Sequence, residues 1–152
     1  MKTNRDGLYL IKKWEGLRLR SYKCSSNVYT IGYGHTGKDV IANLEVTVEQ
    51  AERLLDKDIK EREQQLNVLL NNNNINLNEN DNMYSALISL LFNIGYGNLN
   101  KSPLITILKN NNFVGDREEI EKCWLNHNKS GGKELKGLTS RRKEEIELFY
   151  NV

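Results

Sequence analysis

One proline, Pro103, and two cysteines, Cys24 and Cys123, are all that this 152-residue chain has of either residue. So little cysteine excludes a disulfide framework, and neither residue has the paired spacing that structural zinc needs, so no metal site is expected. Long apolar runs are missing too. No stretch approaches the roughly 20 apolar residues of a membrane-crossing helix, which excludes stable membrane insertion of that kind. The opening Met1–Gly16 is basic but has no uninterrupted apolar segment with a small-residue cleavage site, so no secretory signal is expected. Neither sign of charge dominates, with 22 Lys and Arg against 20 Asp and Glu. A net charge of +2 does not by itself indicate a nucleic-acid partner. The basic N-terminal region lacks interleaved stacking aromatics and any DNA- or RNA-binding motif, so nucleic acid is not expected as a partner.

What is present reads as one domain, since domains commonly run about 100 to 200 residues. The near-absence of proline and the 3.6-residue apolar spacing predict a mostly helical α+β chain with strands confined to one early stretch. Leu8, Ile11 and Trp14 share a face of a first helix that Gly16 is placed to end near Glu15, because glycine accepts the left-handed conformation at a helix terminus. Residues 17–34 alternate apolar and basic positions, pass through Ser25-Ser26-Asn27 and continue as a β-branched and aromatic run, the pattern of a hairpin. Thr47 and Gln50 form a capping box opening a helix striped by Ala51, Leu55, Ile59, Leu66 and Leu70. Eight of the twelve residues 71–82 are Asn, which favours turns. Further helices follow: one carrying Met83, Leu87, Leu90, Leu91 and Ile94, one capped by Ser102 before Pro103, one opened by Asp116 with Ile120, Cys123 and Trp124 as its apolar face, and a last one beyond Ser140. The outline is a small lobe over about 13–58, a connecting helix over about 59–80 and a helical lobe over about 81–152 with the first helix packed on it, leaving a cleft between lobes.

The residues that carry chemistry begin at Trp14-Glu15-Gly16 and end at Thr30-Ile31-Gly32-Tyr33-Gly34-His35-Thr36. Glu15, Cys24 and Thr30 in this order resemble the glutamate, aspartate-or-cysteine, threonine pattern of the phage-type lysozymes, glycoside hydrolase family 24. The Thr30–Thr36 run is similar to that family's stretch around its threonine. Ala86–Gly97 followed by Ser102-Pro103, the helix end at Cys123-Trp124, and Gly137–Arg142 with Glu145 downstream resemble the family's later blocks, so the likeness runs from about Gly7 to Tyr150.

The resemblance implies a lysozyme-like two-lobed fold and an endolysin that hydrolyses the β-1,4 bond between N-acetylmuramic acid and N-acetylglucosamine in peptidoglycan, without metal or organic cofactor. It implies Glu15 as general acid. The residues agree, for a carboxyl at a helix C-terminus faces the negative pole of the macrodipole, which favours its protonated form. Cys24 stands where an aspartate is commoner. A thiol of pKa about 8.5 is a weak base at neutral pH, so the expected role of Cys24, with the Thr30 hydroxyl, is to position water, helped by Arg18, Arg20 and Lys23 nearby in sequence. By resemblance, Arg141 pairs with Glu15, and Phe92 and Ser102 contact the sugar; Thr36, which follows His35, is read as a third substrate contact. Arg141 and Arg142 are read as the start of the last helix. His35 is expected to be a structural hydrogen-bond or ion-pair partner, and Gly32 and Gly34 to let the backbone bend closely. Cys123 is read as core and His127 as surface; oxidation linking Cys24 to Cys123 would block the site. The partner implied is peptidoglycan, the acting form a monomer. The location implied is the host cytoplasm until release to the wall, or export by a non-classical route. The alternative reading is a catalytically impaired peptidoglycan-binding protein on the same scaffold.

Overall fold

The computed structural model describes residues 1–24 and 27–151, so Ser25 and Ser26 of the expected turn lie outside the described residues. By internal contacts the chain divides into two compact units, Ile11–Glu61 and Met1–Leu10 with Arg62–Val152.

Helix α1 (Arg5–Glu15), whose last five residues belong to the smaller unit, ends as the sequence predicts: Gly16 takes φ +71° and its N–H donates to the Lys12 carbonyl at 3.0 Å. Three antiparallel strands follow, β1 (Arg18–Lys23), β2 (Tyr29–Gly32) and β3 (His35–Thr36), in the order β1-β2-β3. The register couples Tyr22 to Thr30, Lys23 to Tyr29, Thr30 to Thr36 and Ile31 to His35, with an irregularity in β1 between Arg18 and Tyr22. The outer edge of β1 is covered: Ser21 N–H donates to the Leu44 carbonyl and Val46 N–H to the Leu19 carbonyl, each at 2.9 Å. Ile31, Val40, Ala51, Leu55 and Ile59 bury their side chains and form this unit's core.

Helix α2 (Val48–Asn72) opens on the predicted capping box, in which Gln50 N–H donates to Thr47 Oγ1 at 3.1 Å and Thr47 N–H to Gln50 Oε1 at 2.8 Å. It stops well short of 80, where the asparagine-rich segment takes over. Asn74 and Asn78 adopt positive φ there, a conformation that asparagine tolerates better than most residues.

The larger unit is built from α3 (Asp81–Ile94), α4 (Tyr96–Asn100), α5 (Pro103–Leu108), α6 (Arg117–Leu125) and α7 (Lys136–Phe149), with a two-stranded ribbon, β4 (Lys129–Ser130) and β5 (Lys133–Glu134). Asn80 caps α3 by accepting from Met83 N–H at 3.0 Å, and Ser102 caps α5 by accepting from Leu104 N–H at 3.2 Å. Asp116 precedes α6, but its carboxylate caps nothing there; it accepts from Asn110 Nδ2 at 3.1 Å. The last helix also starts earlier than expected, at Lys136, so Arg141 and Arg142 lie inside it and not in its first turn. α3 packs along α7, and Leu87, Ile88, Leu90, Leu91, Trp124 and Phe149 are almost wholly buried. Each such side chain contributes roughly 1.5–3 kcal/mol on burial. Phe149 meets Phe113, Trp124 and Tyr150 edge to face at centroid distances of 5.9, 5.2 and 5.0 Å. Among the described residues no helix is long and apolar enough to cross a membrane.

Candidate active site

Glu15 is the last residue of α1 and is half-buried. Its carboxylate lies against the Cα of Gly34 in the turn between β2 and β3. A Cβ added to Gly34 would overlap Glu15 Oε1 and stand 3.1 Å from Glu15 Cδ, and Gly34 also has φ +72°. Glycine is therefore required there twice, by backbone conformation and by the acid it touches. Gly32, at φ +64°, lets the turn approach α2, where an added Cβ would lie 3.4 Å from the Ala51 methyl.

Residues directly opposed in an antiparallel ladder share a face, and neighbours along a strand alternate. Tyr22 opposes Thr30 and Thr30 opposes Thr36, while Cys24 N–H donates to the Val28 carbonyl at 2.9 Å across the ladder's end. Tyr22, Cys24, Thr30 and Thr36 thus share one face, and Lys23, Tyr29, Ile31 and His35 the other. Cys24 and Thr30 are diagonal neighbours, a spacing of roughly 7–8 Å in a regular ladder. Cys24 is half-buried, Thr30 buried and Thr36 exposed. The Thr30 hydroxyl donates to the Val28 carbonyl at 3.3 Å, which leaves its oxygen lone pairs as acceptors.

The opposite face is tied to α2. His35, only 7% exposed, places Nδ1 2.7 Å from Asp58 Oδ2 and Nε2 2.9 Å from Asp39 Oδ2. Burial alone would lower the pKa of this imidazole, but the hydrogen bonds and charges of Asp39 and Asp58 together outweigh it and hold the value above the ordinary 6.5. The Asp39 carboxyl is held below its ordinary 3.8, chiefly by the hydrogen bond to His35. Beside this clamp, Glu52 Oε1 on α2 accepts from Lys12 Nζ at 2.9 Å and from the Tyr33 hydroxyl at 3.2 Å. Sequence reasoning missed Glu52, Tyr33, Asp39 and Asp58. Nothing in their spacing signals the contacts, which exist only once β3 and α2 are adjacent.

In the larger unit, Arg141 and Arg142 are buried around Glu145, itself wholly inaccessible. Glu145 Oε2 accepts from Ser89 Oγ at 2.6 Å, Arg142 Nη2 at 3.0 Å and Arg141 Nε at 3.3 Å. Its Oε1 accepts from Trp124 Nε1 at 3.1 Å and lies 2.6 Å from Arg142 Nε. Arg141 Nη2 also donates to the Ser89 carbonyl at 3.1 Å. Phe92 is half-buried near the end of α3. Ser102, besides capping α5, places Oγ 2.7 Å from His127 Nε2 at a groove of about 650 Å³ lined also by Asn93, Lys101, Asn126 and Lys129. His127 is therefore not the plain surface residue expected. It is half-buried, and burial, then the charges of Arg142 and Lys129, push its pKa below 6.5. Cys123 is half-buried and not core, with burial and Glu119 pushing its thiol's pKa up. Among the described residues no group of three His, Cys, Asp or Glu is arranged to hold a metal ion.

A family model described as Phage lysozyme matches residues 12–145. The chain belongs to the phage lysozyme family. It is 38% identical over 151 residues to the endolysin of Bacillus phage B103, an alignment covering 98% of this chain and 54% of that protein. To the endolysin of Acyrthosiphon pisum secondary endosymbiont phage 1 it is 39% identical, with 98% of each covered. The chain spans about half the length of the Bacillus phage relatives it matches. Its fold is similar to that of the muramidase domain of SpmX from Asticaccaulis excentricus, with a TM-score of 0.83 and 29% identity over 99% of each chain. That likeness establishes the lysozyme-like, mostly helical α+β fold expected from the sequence, and the span matched to the phage lysozyme family contains every candidate site residue, from Glu15 to Arg141.

Proposed function

We propose that the chain is an endolysin of lysozyme type, cleaving the β-1,4 bond between N-acetylmuramic acid and N-acetylglucosamine in bacterial peptidoglycan. The observation that carries the reading is the seating of the Glu15 carboxylate on Gly34, at the edge of a sheet one face of which carries Cys24 and Thr30. Membership of the phage lysozyme family supports it.

Hydrolysis needs a proton for the leaving oxygen and a water directed at the anomeric carbon from the other side of the ring. Glu15 supplies the proton. The Thr30 oxygen, its own hydrogen engaged with Val28, accepts a hydrogen from the water and so turns a lone pair of that water towards the sugar. Cys24, diagonal to Thr30, holds the same water from its other side. The water adds to the anomeric carbon as the glycosidic bond breaks, inverting the configuration; its surplus proton passes to solvent, from which Glu15 regains the one it gave to the leaving oxygen, and no cofactor takes part. Thr36, Phe92 and Ser102 contact the glycan, with one chain as the acting unit. The protein accumulates in the host cytoplasm and reaches the wall on release, or leaves by a non-classical route.

Purified cell wall provides the test. Glu15→Gln should abolish release of reducing ends while still sedimenting with wall, and Cys24→Asp should be at least as active as the native chain. Release of reducing ends by Glu15→Gln at the native rate overturns the assignment, and NMR showing retained anomeric configuration overturns the positioned-water scheme.

A further inference from the structure

The Glu15 carboxylate rests on the Gly34 backbone, so its position depends on whatever fixes that turn relative to α1. Both neighbours of Gly34 in sequence are held. His35 is clamped to Asp58 of α2, and the Tyr33 hydroxyl reaches Glu52, about one and two-thirds turns earlier on the same helix. The second hydrogen bond at Glu52 Oε1 comes from Lys12, which precedes Glu15 by three residues and so lies on the same side of α1. Lys12 Nζ also stands 5.5 Å from the centroid of the Tyr33 ring. One carboxylate oxygen therefore joins the helix that carries Glu15 to the turn that Glu15 touches.

Resting on the hydrolase reading above, we propose that Glu52 and Tyr33 are positioning residues for Glu15, acting through the Lys12–Glu52–Tyr33 clasp and never touching substrate. The clasp is suited to setting geometry more than stability. Lys12 and Glu52 side chains are 37% and 42% exposed, and ion pairs of that exposure typically contribute little to folding. Placement is another matter, since an ångström of misplacement at a reacting group costs up to about 100-fold in rate. Burial, and then the charge of Glu52, push the Tyr33 phenol's pKa above 10.0, so at neutral pH it is a hydrogen-bond donor.

The test measures kcat, KM and melting temperature on purified wall, together with the ¹³C carboxyl resonance of Glu15, for native protein, Tyr33→Phe, Glu52→Ala, which removes the shared acceptor oxygen, the double variant, Lys12→Arg and Lys60→Ala. Tyr33→Phe should lower kcat about tenfold with KM nearly unchanged and melting close to native. The double variant should lose no more than the more impaired single variant, because both break one link. Lys12→Arg, which keeps a cationic donor to Glu52, should retain activity, as should Lys60→Ala, an exposed residue ion-paired with Asp56. The Glu15 resonance should move in Tyr33→Phe and stay in Lys60→Ala. Native kcat in Tyr33→Phe, additive losses, or an unmoved Glu15 resonance would overturn the proposal. A native chain inactive on wall would sink the hydrolase reading instead, leaving the resonance to decide the positioning claim by itself.

Discussion

Replacing Gly34 by alanine perturbs the site by one methyl group, and the structure supplies two separate consequences. The first is conformational: at φ +72° a residue with a Cβ is strained by roughly 1–2 kcal/mol. The second is steric. The new methyl would overlap Glu15 Oε1 and stand 3.1 Å from Cδ and 3.4 Å from Cγ, where carbon pairs rest at about 3.5–4.0 Å. The carboxylate must therefore withdraw by roughly 0.5–1 Å, enough to lower kcat by about 10- to 100-fold if Glu15 is the acid. Stability changes far less in proportion. A loss of about 1–2 kcal/mol out of a usual 5–15 leaves the protein folded at 25 °C and lowers its melting temperature by about 2–8 °C. Gly132→Ala is the matched control, since Gly132 has φ +80° with nothing within 4 Å of an added Cβ. It should show a similar melting shift without the collapse in kcat. The assay is reducing-end release from purified wall beside thermal unfolding of both variants. If Gly34→Ala melts as predicted yet keeps kcat within about threefold of native, either the carboxylate tolerates displacement or Glu15 is not the acid, and the reasoning fails.

Two further outcomes concern the buried ionic groups. Glu145→Ala strands Arg141 and Arg142 without the carboxylate they share and should lower unfolding free energy by about 3–5 kcal/mol in urea titration; a loss below about 1 kcal/mol would contradict the account of that network. The His35 clamp should act within a pH window. Because its folded pKa is above 6.5, its stabilisation is fully present below the unfolded value and is lost as pH rises through the folded one. On the acid side Asp39 has a folded pKa below 3.8, so its share is present above 3.8 and lost as pH falls through that lower value. His35→Gln should therefore lower the melting temperature more at about pH 5.5 than at about pH 9, and an equal effect at both would refute the charged clamp.

Features set by neighbouring residues were legible in the sequence. Gly16 as the end of α1, the Thr47–Gln50 box and the Ser102-Pro103 opening of α5 each depend on a few adjacent positions, and all three stand in the structure. The start of α7 was not legible for the same physical reason. Leu135 has the extended backbone of an N-cap but no side-chain cap hydrogen bond, and Gly137 inside the first turn reads as a breaker. Asp116 misled in the opposite sense, a good capping residue whose carboxylate is taken by Asn110. His127 was misjudged because its burial depends on Ser102 and Arg142, which no local pattern brings near it.

The candidate site divides along the same line. Gly34 could be read from the sequence as a bend, but a bend needs only its positive φ; the reason a side chain is excluded there lies in Glu15, on a different element. His35 could be read as an ion-pair partner, yet its partners Asp58 and Asp39 emerge only when the β2–β3 turn is laid on α2. The Lys12–Glu52–Tyr33 clasp had no sequence signal at all, because lysine, glutamate and tyrosine on a charged surface are ordinary and only their convergence on one oxygen is informative. A reacting carboxylate needs its position fixed from several directions at once, and a chain supplies such directions most readily from elements far apart in sequence. The group that does the chemistry is thus easier to read from the sequence than the groups that hold it in place.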